Sequence, residues 1–382
     1  MKYCITCFYP DTKPDIVFNK EGVCSACVSF KKRETINWKD REKKFAEIVK
    51  KIKTRNNGNY DCIVPVSGGK DSTWQVLKML EYDLKILCVN SRTCDLSPIG
   101  RRNLDNIKNI GVDMIELSPN PKIRKKLNKI GLLEVGDISW PEHVGIFTVP
   151  INIAVKFQIS SIFWGENSQN EYGGPISKIN NSQLNRSWLE EFGGLLGLRV
   201  TDLFDHYELK ENDLIAYRYP SKKEIDELNL IGYFLGYYFP WDGYENAQIA
   251  KLNGFEFFHK DVEGATIKYE NLDNFQTGIH DYFKYIKYGF GRTTDIMSNL
   301  YRRNLVSREK AIELIKKNDG NFPHSYLDKP IKKILETIDV QYDEFIKTCE
   351  KFTNRDLFKT NNNGEFIRDE NLNLIKKSDT LS

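Results

Sequence analysis

The spacing of apolar residues changes period along this 382-residue chain, and each change marks an element. Between Trp38 and Lys53, Phe45, Ile48, Val49 and Ile52 recur at helical spacing among charges, which predicts an amphipathic helix. Asn56-Asn57-Gly58-Asn59 then breaks the pattern as a turn. Beyond it, short apolar runs at Asp61–Val66, Leu84–Asn90 and Val112–Leu117 read as strands. Helical stretches separate them: Asp71–Glu81, with Trp74, Leu77 and Leu80 inward, and Arg101–Ile110. Such alternation predicts a parallel sheet with helices packed on it.

After the turn Ser118-Pro119-Asn120-Pro121 the same reading gives a basic helix at Lys122–Ile130 and a buried helix at Val144–Phe157. A fourth strand follows at Ser161–Gly165, a fifth at Gly232–Phe239, and a helix from just after Pro240-Trp241 through Leu252. Residues 171–225, broken by Tyr172-Gly173-Gly174-Pro175 and Gly193-Gly194, read as an insertion of loops and short helices. From Asn271 onward helices dominate. Ser307 caps one carrying Ala311, Ile312, Leu314 and Ile315, and Ile331–Ile338 is another. The polar tail from Thr360 to Ser382 is expected to be partly loose. The expectation is an α/β fold, a doubly wound and mainly parallel sheet. Its units are a cysteine-bearing segment at 1–30, the sheet domain at 31–258, and a helical region at 259–382.

A net charge of +3 lacks the basic excess of a protein built to grip nucleic-acid phosphates, so no nucleic-acid partner is expected. No stretch reads as a signal core or membrane span, and a cytoplasmic location is expected. Four of the eight cysteines form two tight pairs, Cys4-x-x-Cys7 and Cys24-x-x-Cys27, with sixteen residues between them. Each short loop presents two thiolates to one ion, so the spacing points to a structural Zn²⁺; a redox or iron–sulfur role is the competing reading. Cys62 and Cys88 read as buried strand residues, and Cys94 as either a plain loop residue or a reactive thiol.

The first predicted strand runs into Ser67-Gly68-Gly69-Lys70-Asp71-Ser72 and then a helix. A helix start leaves backbone N–H groups unpaired, glycines let a phosphate approach them, and a lysine adds compact positive charge. The spacing is not that of a Walker A loop. It resembles the PP-loop of the N-type ATP pyrophosphatases, the superfamily of asparagine synthetase, GMP synthetase and tRNA thiolation enzymes. That resemblance implies ATP over the carboxyl edge of the sheet, with Asn90-Ser91 and Gly165 near the adenosine half. Ordinary strand-end turns are the competing reading for Asn90 and Gly165.

Further strings extend the match: Arg101-Arg102-Asn103-Leu104-Asp105-Asn106, His143-Val144-Gly145-Ile146-Phe147, Phe163-Trp164-Gly165-Glu166-Asn167, Glu171-Tyr172-Gly173-Gly174, Phe239-Pro240-Trp241-Asp242 and Tyr288-Gly289-Phe290-Gly291-Arg292-Thr293-Thr294-Asp295. With the cysteine pairs and the loop, this ordered set looks like the N-acetyl sugar amidotransferase family of bacterial surface-polysaccharide and flagellin-sugar biosynthesis. The resemblance implies that ATP adenylates a sugar acetamido oxygen, which ammonia then displaces to give an acetamidino sugar, AMP and pyrophosphate. It implies Mg²⁺ with the ATP and a separate glutaminase subunit as ammonia source, since no glutaminase nucleophile is visible. Two other readings remain: a tRNA thiolation enzyme, and a non-catalytic module that binds zinc and ATP.

His143, Glu166 and Asn167 fall at or near the carboxyl ends of the strands. His143 is a candidate proton shuttle and Glu166 a competing base, against structural hydrogen bonding for each. Arg292, in a glycine-flanked turn, is a candidate phosphate ligand, with Arg101 and Arg102 lesser ones. The aromatic run from Tyr233 to Trp241 reads as core before it reads as a sugar platform.

Overall fold

The computed structural model describes residues 1–55, 58–166, 183–184 (backbone only), 197–204, 206–378 and 381. Five parallel strands form the sheet: β1 Cys62–Pro65, β2 Ile86–Ser91, β3 Asp113–Leu117, β4 Ser161–Trp164 and, beyond a short antiparallel edge strand β5 (Gln183–Leu184), β6 Ile231–Phe234. Their order is β3-β2-β1-β4-β6-β5. The chain winds outward from β1 to β3, then returns to the other side of β1 with β4. The carboxyl end of β1 therefore lies at the point where winding reverses, where open α/β sheets bind ligands.

Alternation along the strands sends side chains to two cores. Cys62, Val64 and Cys88 face Phe45 and Val49 of helix α2 (Trp38–Arg55), Trp74 and Met79 of α3 (Lys70–Leu80), and Leu104 and Ile107 of α4 (Pro98–Asn109). Ile63, Leu87 and Val89 face Val149, Ile151 and Ala154 of α6 (Trp140–Phe157). Each such buried side chain contributes roughly 1.5–3 kcal/mol, so the sheet is held from both faces. α1 (Ser25–Lys32) precedes α2 and carries Cys27, and α5 (Pro121–Ile130) lies between β3 and α6 in sequence.

A third core gathers the helices Thr277–Tyr288, Arg292–Arg302, Arg308–Asn318 and Tyr342–Phe352 around Tyr282, Phe283, Ile286, Met297, Ile315 and Phe345. Ser307 caps its helix as expected, its hydroxyl accepting from the Lys310 amide at 3.2 Å.

Several boundaries differ from the sequence reading. β6 stops at Phe234, and Leu235–Tyr238 turns helical, because β4 ends at Trp164 and offers no ladder partner beyond the Trp164–Phe234 pair. α4 starts at Pro98, three residues before Arg101, because the Ser97 hydroxyl caps the Gly100 amide and proline suits a first turn. α6 starts at Trp140 and carries Pro141 in the same way. The tail is more ordered than its polarity suggests. Bridges pair Phe358 with Lys376, Thr360 with Phe366 and Arg368 with Leu374, and the scattered apolar Phe358 and Leu374 join the third core. The Glu171-Tyr172-Gly173-Gly174 string and nearly all of the first half of the expected insertion lie outside the described residues. Its later part holds turns at Val200–Leu203 and Glu211–Tyr217 and the helix Lys222–Glu227. No helix among the described residues is long and apolar enough to cross a membrane.

Candidate functional site

β1 delivers Ser67, Gly68 and Gly69 to the start of α3, and no described side chain caps that helix. Gly68 has φ +87°, and a Cβ there would lie 2.9 Å from the Leu104 amide nitrogen, so α4 closes on the loop only because the residue is glycine. Inside the loop, the Gly69 amide donates to Ser67 Oγ at 3.2 Å. The hydroxyls of Ser72 and Thr73 both donate to the Gly69 carbonyl at 3.0 Å. These bonds hold the loop while leaving the helix start facing outward, an arrangement that suits an anion.

Lys70 Nζ lies 2.9 Å from Asp71 and 2.9 Å from Glu270. Asn246 donates to the other Asp71 oxygen at 2.9 Å. Glu166 shares the small cavity of these groups, and burial together with the neighbouring Asp71 charge pushes its carboxyl up to about 7. Two carboxylates pair with the Lys70 ammonium, and a third lines the same cavity. Their oxygen donors are the kind that hold Mg²⁺.

A cleft of about 580 Å³ opens over the carboxyl ends of β1, β2 and β4. It is lined by Ser67, Asp71, Ser72, Asn90, His143, Gly165, Glu166 and Asp273, among others. Asn90 donates to the Val66 carbonyl at 2.7 Å, while its buried Oδ1 has no partner among the described residues. A buried acceptor left over beside a phosphate-type loop fits a ligand that carries an N–H donor, as an adenine amino group does. Gly165 is a close-contact position as well, since a Cβ there would sit 2.9 Å from the Trp241 ring. Burial pushes Asp273 up to about 6.

Of the residues singled out from sequence, Ser67, Asp71, Ser72, Asn90, His143, Gly165 and Glu166 line this one cleft, and Lys70 lies in the adjoining small cavity. Asn167 lies outside the described residues. Arg292 lines the same small cavity as Lys70, Asp71 and Glu166, but its guanidinium is taken by a bidentate pair with Asp281 at 3.0 and 2.7 Å. A ligand phosphate at Arg292 would have to displace that carboxylate. Arg101 is paired with Asp105 and Glu116, and Arg102 with Glu256. Burial and Glu142 push the Cys94 thiol up to about 11, away from the reactive thiolate.

Glu270 and Asn246, which hold Lys70 and Asp71, carry no motif in the sequence, and neither do Asp137 and His280, which contact each other near His143. Distances of 200 and 175 residues separate the first two from their partners, so only folding brings them together.

The four cysteines of the two pairs are buried and free of disulfides, with all sulfurs within 4.8 Å of one another. Sγ separations of 4.0 Å (Cys4 to Cys27) and 3.6 Å (Cys7 to Cys24) match the edge of a tetrahedron with Zn–S bonds of about 2.3 Å, so the set fits Zn²⁺. All four donors are protein thiolates, which suits a closed structural site. Buried Arg302 lies beside the thiolates and offsets their charge. Just beyond this segment, Arg33 donates at 3.0 Å to the carbonyl of Trp241, which lines the small cavity.

Comparison with known proteins bears on the C-terminal part. The family described as "LPS biosynthesis protein WbpG-like, C-terminal domain" matches residues 263–376. That match lies wholly beyond the sheet. Among solved structures, NAD+ synthetase from Burkholderia pseudomallei is similar at 12% identity and a TM-score of 0.25, over 60% of this chain and 91% of that one. A likeness that distant supports no argument about the site. No curated protein matches the chain.

Proposed function

We propose that this chain is an ATP-dependent amidotransferase. It transfers AMP to the acetamido oxygen of an N-acetylated, nucleotide-activated sugar and replaces that oxygen with ammonia, releasing an acetamidino sugar, AMP and pyrophosphate. The observation that carries this reading is the uncapped start of α3 behind Ser67-Gly68-Gly69, opening on a cleft at the sheet's switch point. The WbpG-like match in the C-terminal part supports a sugar of a surface polysaccharide as substrate.

An amide oxygen is a very poor leaving group, and adenylation turns it into AMP, a good one. Ser67, Ser72 and the amides of Gly68 to Ser72 bind the phosphates. Lys70 neutralises charge developing on the departing pyrophosphate. Asp71, Glu166 and Glu270 would hold Mg²⁺, which supplies further charge neutralisation there. Asn90 and Gly165 border the adenosine, and Asn167, next in sequence to Glu166, is a candidate for the same site by that adjacency alone. Arg292 keeps its pair with Asp281 on the wall of the small cavity and supports that wall. In this reading Glu166 serves the cation, and His143 takes the proton that ammonia loses. The family resemblance makes a separate glutaminase subunit the ammonia source.

The test supplies ATP, Mg²⁺, ammonium and a panel of nucleotide-linked acetamido sugars. The expected products are AMP, pyrophosphate and a sugar in which NH replaces one oxygen. AMP release on tRNA with no sugar modified would overturn the reading.

A further inference from the structure

Beside the cleft, Asp137 is almost wholly buried, and each of its carboxylate oxygens meets an imidazole. Oδ2 lies 2.8 Å from His143 Nδ1, and Oδ1 lies 2.8 Å from His280 Nδ1. The two rings stand edge to face at 5.1 Å. The carboxylate is fixed from several sides. Its Oδ1 also accepts the Ser139 amide at 2.9 Å, and its backbone amide donates to the Gly131 carbonyl at 2.9 Å. Lys287, two turns beyond His280 on the same helix, donates to the carbonyls of Val135 and Gly136 at 2.6 and 3.0 Å. So one helix face places both the second imidazole and the loop that bears Asp137.

His143 lines the cleft that also holds Ser67 and Asp71. His143 Nδ1 is within 2.8 Å of the Asp137 carboxylate but off the line of a hydrogen bond, so a small rotation of the ring aligns it and leaves Nε2 for chemistry. The charged and titratable groups around His143 are Asp137 from the loop before α6, Glu142 from its own helix, His280, and Arg292 from the next helix. Asp137 strengthens His143 as a base: the carboxyl is held well below its usual range, and His143 is raised above its ordinary value.

We infer that Asp137 is a positioning residue for His143, with His280 bracing the carboxylate from its other oxygen, so that His143 Nε2 accepts a proton in the cleft. The inference rests on the proposed amidotransferase reading for the identity of the proton donor. There the ammonia lone pair forms the new C–N bond at the adenylated carbon. The proton lost by that nitrogen passes to His143 Nε2, and the C–O bond breaks with its electron pair leaving on AMP. His143 then returns the proton to solvent.

The chain has five histidines, so their ring resonances can be followed in the zinc-loaded, full-length protein and His143 assigned with His143→Gln. Asp137→Asn is expected to lower the His143 titration midpoint by about one pH unit or more. In single turnover with an acetamido sugar, the same variant should slow amidine formation by about 100-fold while pyrophosphate release stays near wild type. The acid limb of the ammonia step should move to lower pH, which a merely structural loss would not do. His280→Gln, which keeps a donor, should show the same shifts at smaller size, and it serves if Asp137→Asn fails to fold. An unchanged His143 midpoint, an unmoved acid limb, or pyrophosphate release falling in parallel would overturn the inference. So would uptake of a metal ion beyond the cysteine site that His280→Gln abolishes. If no acetamido sugar elicits pyrophosphate, the amidotransferase reading fails while the resonance test of the three residues still stands.

Discussion

Two helices of this protein start in the same way, and their fates differ. α3 follows Ser67-Gly68-Gly69 and opens with Lys70; the helix Arg292–Arg302 follows Gly291 and opens with its arginine. By sequence both read as anion sites. At the second, the protein supplies the anion itself: Asp319 accepts the Gly291 amide at 2.7 Å, the Thr294 amide at 3.3 Å and the Thr294 hydroxyl at 2.6 Å. Asp281 then takes the guanidinium. At α3 no described side chain fills that place, and the helix faces a cleft. A helix start becomes a binding site only where the fold leaves its amides unspent.

The largest test of this contrast removes each of the two cations in turn. Lys70→Ala should lower pyrophosphate release by at least about 100-fold while the protein still folds and zinc content holds, with some loss of stability from the unpaired Glu270 and Asp71 carboxylates. Arg292→Ala should instead cost about 3–5 kcal/mol of stability, read by denaturant unfolding, because it strands the buried Asp281 carboxylate. If Arg292→Ala left stability intact and abolished ATP binding, the contrast would break.

Gly68→Ala comes next. The positive φ and the Leu104 amide at 2.9 Å leave no room for a methyl group, and a loss of about 1–3 kcal/mol is expected, with weakened ATP binding.

The pH signatures should run in opposite directions. Glu166 has a carboxyl raised to about 7, so its contribution to stability is present at low pH and is lost as pH rises through 7. Glu166→Gln should therefore stabilise the protein at pH 8 by on the order of 2 kcal/mol, a gain that vanishes below about pH 4.5, while activity falls. Asp281 is lowered by Arg292, so its contribution is present at neutral pH and disappears as pH falls below the usual carboxylate range. Thermal melts at about pH 8 and 4.5 check the first sign, and melts carried down to about pH 2 check the second.

The smallest expected effect is Asp319→Asn, which keeps a capping acceptor but removes its charge. A loss of about 0.5–1 kcal/mol is expected, with the KM for ATP unchanged. A large change in that KM would move Asp319 into the ATP site.

Much of this was legible before folding because it is local. The strand, the two glycines and the helix start at Lys70 are consecutive, and the cysteine pairs carry their own spacing. Strand existence followed from apolar runs, and the parallel sheet from their alternation with helices. Edges were less legible: β6 ends where β4 stops offering hydrogen bonds, a fact about a strand some seventy residues away. The tail's order came from Phe358 and Leu374 finding a core that no local pattern announces.

By itself the sequence determined the winding of the sheet, the phosphate-type loop and the cysteine set, since each depends on neighbours along the chain. Only the tertiary structure decided which side chains meet there. Glu270 and Asn246 reach the loop from 200 and 175 residues away, and Asp319 spends one helix start while the other stays open. Charge and hydrogen bonding act over a few ångströms of space, whatever the distance along the chain, so a helix start reveals its role only once its partners are in place.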